Sequence, residues 1–357
     1  MINKKSSFII FLVIITINMV ILNLHNPLFG ANNFDSQYYE HISLNGYDNA
    51  VITVFYPLYP MLIKMISLSY FKPVIVGTIF SSLVYFFVVV NWIKHVPSNQ
   101  STNIEEKAFF LAPQNYFGLF LFLIGPCNYI FLTNHTESLF LLLSFLSFLY
   151  IYKHNYYKAA ICVGLSMITK NQGMFLFLLS FIILIEQTSS NTKKIQFRNL
   201  ILFSFIILLI YMNWPIYLWY KFKDPISFYH QQAAWKSIRS ISEYFKTFIF
   251  ANHWEYLGVN SLLHECWFII FLASAILAFV KKYYKICLYT LLLIIIIPAK
   301  GELINDYRFT IFCYPTYFFI GKYLEDRFGA RIYFILIPIA VFSFIITYHY
   351  TICRWSY

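Results

Sequence analysis

Lys4-Lys5-Ser6-Ser7-Phe8-Ile9-Ile10-Phe11-Leu12-Val13-Ile14-Ile15-Thr16-Ile17-Asn18-Met19-Val20-Ile21-Leu22-Asn23-Leu24 decides the fold class. From Phe8 to Leu24 no residue is charged, and about 17 apolar residues in helical form are enough to span a bilayer. The basic start and apolar middle resemble a signal peptide. No small-residue cleavage site follows, so the stretch is expected to stay as a first transmembrane helix. The same pattern recurs along the chain: 60% of residues are hydrophobic, 22% aromatic and 11% charged, against about 25% charged in soluble domains. This predicts an all-α polytopic membrane protein. No stretch between the apolar runs is long enough for an independent soluble domain, so residues 1–357 are expected to form one membrane-embedded domain.

Runs of spanning character occur at 8–24, 73–93, 108–131, 136–152, 199–219, 266–280, 286–299, 308–321 and 332–350. Residues 159–187 form a further run, interrupted by Thr169-Lys170-Asn171-Gln172-Gly173, which divides it into a helical hairpin or a discontinuous helix. Counting it as two spans predicts eleven, with a cytoplasmic N-terminus. The connections 1–7, 94–107, 153–158, 188–198, 281–285 and 322–331 then share one side and hold 15 of the chain's 26 Lys and Arg residues. That asymmetry fits the positive-inside rule. The net charge of +11 is dispersed singly between apolar runs, so no nucleic-acid partner is expected. The six cysteines (Cys127, Cys162, Cys266, Cys287, Cys313, Cys353) lack metal-site spacing and mostly fall inside apolar runs, where they act as small lipid-compatible side chains.

Two predicted non-cytoplasmic loops, 25–72 and 220–265, are long and rich in aromatic, amide and charged residues. Irregular backbone does not face lipid, so these loops are expected at the interface or along a hydrated cavity, and a site is sought there. The first carries Asn33-Phe34-Asp35-Ser36-Gln37-Tyr38-Tyr39, then Gly46-Tyr47 and Phe55-Tyr56-Pro57-Leu58-Tyr59-Pro60-Met61-Leu62-Ile63. The two prolines are expected to break helix on either side of a segment lying along the membrane surface. The second begins Asp224-Pro225-Ile226-Ser227-Phe228-Tyr229-His230-Gln231-Gln232-Ala233-Ala234-Trp235. Its His, Gln and Trp suit a polar ring compound, and on a helix Gln231 and Trp235 would share a face. A metal-holding D-x-D pair, a Gly-rich phosphate loop and a nucleophile elbow are all missing from the sequence, so no metal or cofactor is expected.

Taken together, these pieces resemble the PIG-V family, GPI mannosyltransferase II, and its prokaryotic relatives among GT-C glycosyltransferases that use polyprenyl-phosphate sugars. The resemblance is carried by Phe34-Asp35 to Gly46-Tyr47 with Tyr56-Pro57-Leu58-Tyr59-Pro60, Thr136-Glu137-Ser138-Leu139-Phe140, Thr169-Lys170-Asn171-Gln172-Gly173, Asp224-Pro225 through Gln231 and Trp235, and Tyr307-Arg308-Phe309. These occur in family order over residues 30 to 320. The family usually has Arg-Ser-Asn-Gly where this chain has Lys170-Asn171-Gln172-Gly173. The resemblance implies an inverting transfer of mannose from a polyprenyl or dolichyl phosphate to a glycolipid or glycan acceptor.

Single displacement at an anomeric carbon needs one base for the acceptor hydroxyl, and the departing phosphate needs no protein acid. Asp35 is the expected base. Arg308, Lys300 and Lys170 are the candidate cations for the donor phosphate, with Arg308 first because a guanidinium grips phosphate as a fork. Tyr38, Tyr39, Tyr56, Glu137, Asn171, Gln172, His230, Gln231 and Trp235 are candidate substrate contacts. Each has a plainer rival. Asp35 could cap a short helix through the Tyr38 amide, Arg308 could mark a span boundary, Lys170 could pair structurally, and Glu137 could stabilise a helix N-terminus. His230 and Gln231 could be interfacial loop residues. The alternative function is a lipid-linked saccharide flippase or small-solute transporter, which would share the spans, broken helices and intramembrane cations. The expected setting is a bacterial inner membrane, or the endoplasmic reticulum, with Asn99-Gln100-Ser101 and Asn134-His135-Thr136 matching the glycosylation sequon.

Overall fold

Four helical stretches are long and apolar enough to cross a membrane: Lys4–Asn23, Pro73–His95, Gln196–Phe222 and Tyr314–Thr351. Their outer faces expose Ile9, Val13, Leu83, Phe87, Phe205, Leu208 and Ile337. Apolar surface on that scale is stable against lipid rather than water, so the chain is an α-helical membrane protein. The structure is a computed structural model, which describes residues 3–24, 33–68, 70–97, 104–189, 193–232, 259–295 and 306–352. In chain order the helices are α1 (Lys4–Asn23), α2 (Asp35–Asn45), α3 (Leu58–Ser67), α4 (Pro73–His95), α5 (Glu106–Leu111), α6 (Tyr116–Leu123), α7 (Glu137–Tyr152), α8 (Tyr156–Met167), α9 (Gly173–Thr188), α10 (Lys193–Phe222), α11 (Ser227–His230), α12 (Val259–Val280), α13 (Tyr284–Ile294), α14 (Asp306–Thr310), α15 (Tyr314–Phe328) and α16 (Leu336–Thr351). Short 3₁₀ turns lie at Ala50–Val54, Asn128–Leu132 and Gly329–Ile335.

Several expected elements differ. The run 108–131 is not one helix. Ala112 is extended ahead of Pro113, as a residue before proline prefers, and Asn115 restarts the chain by capping α6 through the Gly118 amide. The run 308–321 divides into α14 and α15, with Pro315 in the first turn of the second helix, where its missing N–H costs nothing. Pro57 and Pro60 do not interrupt helix as expected. They occupy the cap and first turn of α3, positions that proline tolerates. The apolar run 159–187 is two helices, α8 and α9, packed on each other around the turn 168–172. A Cβ on Gly173 would lie 2.5 Å from the Met167 backbone, so only glycine lets α9 start this close to the end of α8.

The described residues cluster into two compact units, 1–33, 89–130 and 236–357 in one and 34–88 and 131–235 in the other. In the first, α1 packs on α16, where Thr347 Oγ1 donates to Asn18 Oδ1 at 2.9 Å, polar adhesion of the kind that joins helices where lipid supplies no hydrophobic drive. Helices α6 and α15 meet at Gly118 and Gly321, where an added Cβ on Gly321 would stand 2.2 Å from the Gly118 Cα. Glu106 accepts the Lys285 and Ile286 amides at 2.5 and 2.9 Å and so caps α13. Lys4 Nζ donates to the Lys94 carbonyl at 2.7 Å, the Tyr283 hydroxyl to the Ile104 carbonyl at 3.1 Å, and Lys281 lies over the Tyr323 ring. Residues 4 and 94, 104–106 and 283–286, and 281 and 323 thus meet within this unit.

In the second unit α7, α8, α9 and α10 pack together and α2 packs on α3. Its core joins Tyr39, Ile42, Tyr47, Phe55, Tyr56 and Tyr59 to Leu139, Leu143, Cys162, Trp214 and Leu218. Cys127, Cys162, Cys287 and Cys313 are buried, while Cys266 is exposed.

Candidate functional site

The segment before α7 is short, polar and wholly buried: Thr133, Asn134, His135, Thr136 and Glu137 are each at most 1% exposed. Buried polar groups must be paired, and the partners come from pieces of chain far apart in sequence. The Tyr59 hydroxyl donates to Asn134 Oδ1 at 2.9 Å, and Asn134 Nδ2 donates to the Ser36 carbonyl at 3.2 Å. Ser81 Oγ lies 3.0 Å from the Tyr59 hydroxyl and donates to the His135 carbonyl at 3.1 Å. The Tyr39 hydroxyl lies 3.4 Å from Thr136 Oγ1, which in turn donates to Glu137 Oε2 at 3.3 Å. Glu137 also pairs with Lys170 Nζ; the carboxylate is fully buried and the lysine side chain is 11% exposed. The Ile168 carbonyl accepts the Leu58 amide at 3.0 Å, tying the start of α3 to the turn that carries Lys170.

Asp35 is the first residue of α2 and is half-buried. Phe34 occupies the cap position, so Asp35 lies inside the first turn, where a carboxylate also favours the helix dipole. Phe34 has φ 52 and ψ −126, a backbone conformation that costs a bulky L-residue about 1–3 kcal/mol and persists only where the surroundings enforce it. One turn on, Tyr38 stacks on Phe55 with centroids 4.8 Å apart and Tyr39 meets the Tyr59 ring edge-on at 5.3 Å.

Tyr56 packs against Phe228 at 5.7 Å, and Thr53 Oγ1 lies 3.1 Å from Ser227 Oγ. The described parts of the two long loops thus touch each other. Burial pushes the Tyr47 and Tyr56 phenols above their ordinary pKa. His230 ends α11 with its Nδ1 2.8 Å from Asp224 Oδ2, and its side chain is 54% exposed. Gln231 follows as the half-buried cap residue. Asn171 is half-buried. Gln172 is fully buried, and neither its amide oxygen nor its amide nitrogen has a hydrogen-bond partner among the described residues.

Five of the six sequence pieces therefore belong to one unit and are connected by direct contacts. No family model, curated protein or solved structure matches the chain. Arg308 belongs to the other unit, where α14 packs on α12 and α13 and Trp267 Nε1 donates to Thr310 Oγ1 at 2.9 Å. It is 8% exposed, unlike a boundary cation that snorkels to water. Lys300 and Trp235 lie outside the described residues, so the shared face expected for Gln231 and Trp235 does too.

Sequence reasoning missed Asn134, Tyr59, Ser81 and Gly77. The signal was the polar run Thr133–Glu137 set between apolar stretches. Its Asn134-His135-Thr136 sequon is no modification site in the folded protein, because the Asn134 side chain is 1% exposed and doubly bonded.

Proposed function

We propose that the protein is an inverting glycosyltransferase of GT-C type, with its site on the non-cytoplasmic face. In this reading it moves mannose from a polyprenyl or dolichyl phosphate to a hydroxyl of a glycolipid or glycan. The observation that carries it is the convergence described above. The Asp35 helix, the Tyr56-to-Pro60 segment, Thr136-Glu137, the Lys170 turn and the Ser227 turn are separate in sequence yet in contact in one unit. Asp35 takes the proton from the acceptor hydroxyl, whose oxygen attacks the anomeric carbon. The bond from that carbon to the phosphate oxygen breaks, and polyprenyl phosphate leaves with the bonding pair. Arg308 is the first candidate to hold the departing phosphate. The unpaired buried amide of Gln172 supports a polar ligand near the Lys170 turn, since an amide left unbonded costs about 1–3 kcal/mol.

The Thr53–Ser227 contact also supports the eleven-span topology. Two loops on one face require an even number of crossings between them. Counting α8 and α9 as two, and the broken run 106–132 as one, gives an even number. Purified protein in nanodiscs, given radiolabelled polyprenyl-phosphate mannose and candidate acceptors, should yield labelled product. Vesicle uptake of solute without product would favour the transporter reading instead.

A further inference from the structure

We propose that Asn134, seated in a notch at Gly77, is a positioning residue for Asp35. This rests on the transfer reading above. Asn134 Nδ2 holds the Ser36 carbonyl, the residue next to Asp35, and its Oδ1 is held by the Tyr59 hydroxyl. A Cβ on Gly77 would lie 1.9 Å from Asn134 Oδ1 and 3.0 Å from the Tyr59 hydroxyl, so the amide fits only because position 77 has no side chain. The strained Phe34 backbone enters α2 just before the clamped turn, and a strained entry needs a fixed neighbour to hold it. The effect passes through the backbone of the first turn.

Gly77→Ala is the sharpest perturbation, because it displaces the ends of two flexible side chains and leaves the site's own groups in place. Asn134→Asp keeps the volume but loses the amide donor to Ser36. Both should raise hydrogen exchange over the α2 peptide 36–45 by about fivefold, the scale of one hydrogen bond, while the α7 peptide 137–152 stays unchanged. Transfer should show kcat down about tenfold or more with donor KM within about twofold, as expected when a base is misplaced but binding is not. Tyr59→Phe should act in the same direction but more weakly. Gly77→Ala combined with Asn134→Ala should be no worse than Asn134→Ala alone.

Exchange that rises equally in α2 and α7, or rises in neither, overturns the proposal, as does a parallel change in kcat and KM. If the wild-type protein transfers no sugar while the α2 peptide responds alone, the clamp is supported and the transfer reading fails.

Discussion

Breaking the Glu137–Lys170 pair should be among the most damaging single changes in the molecule. The carboxylate has no exposed surface and the lysine side chain retains 11%, so neither charge can be rehydrated without opening the turn 168–172. Removing one member of a buried pair leaves an uncompensated charge and costs about 3–5 kcal/mol. Each tenfold in the folded-to-unfolded ratio is about 1.4 kcal/mol, so Glu137→Gln or Lys170→Met alone should lower that ratio at least ~100-fold. Replacing both should recover most of the loss, because a buried pair and an apolar or neutral substitute of similar volume are often equally stable. The four proteins form a double-mutant cycle, measured by reversible denaturant titration in mixed micelles and followed by helical circular dichroism. Single variants within about 0.5 kcal/mol of wild type, or a double variant whose loss equals the sum of the singles, would refute the coupling.

Asp35→Asn should insert and fold normally yet lower turnover by about 100-fold, the usual scale of general-base catalysis, and near-normal turnover in a mannose-transfer assay would remove Asp35 as the base. Arg308→Lys should lose about tenfold at limiting donor, because lysine lacks the planar fork, and full transfer by both Arg308→Lys and Arg308→Gln would rule out the phosphate role. In a Cys-free background, Asp48→Cys and Tyr229→Cys should react with an impermeant thiol reagent in intact cells while Lys107→Cys should not. All three positions are exposed, whereas Tyr47 is too buried to report. The raised Tyr47 and Tyr56 phenols affect stability only on the alkaline side. Below about pH 10 folded and unfolded tyrosines are both neutral. Above it the unfolded chain loses protons that the folded one keeps, so unfolding free energy should fall as pH rises and a flat stability profile there would contradict the burial.

The helical membrane class was legible because a run such as Phe8–Leu24 has only one stable solution in a bilayer. Among the basic connections, Lys4 reaches the Lys94 carbonyl, Lys281 lies over the Tyr323 ring and the Lys285 amide donates to Glu106. What failed was the assumption that apolar length means one unbroken helix. Residues 108–131 read as a span by hydropathy, but Pro113 and the Asn115 cap act locally and divide it. The site was half legible. Charged and aromatic residues such as Asp35, Tyr39, Glu137 and Lys170 draw the eye in an apolar chain. Asn134 and Gly77 do not, because their part depends on an approach of α4 to the segment before α7 so close that a Cβ on Gly77 would stand 1.9 Å from Asn134 Oδ1, which no spacing encodes.

The pairing of Lys170 with Glu137 changes what that lysine offers on the proposed mechanism. A lone cation 4 Å from a phosphate charge gains about 4 kcal/mol at an effective dielectric of about 20. A carboxylate about 2.5 Å further away takes back about 2.5 kcal/mol of that, so the pair attracts as a weak dipole rather than as a full charge. Its stronger effect is mechanical: it pins the turn 168–172 against the start of α7, while the Ile168 carbonyl holds the start of α3. Asn171 and Gln172 are thereby fixed beside the starts of α7 and α3 without Lys170 touching a ligand. If the pair is such a brace, the double variant Glu137→Gln/Lys170→Met should keep donor KM within about threefold of wild type. A rise of about tenfold would return Lys170 to the phosphate, since a neutral pair could not have supplied that much binding.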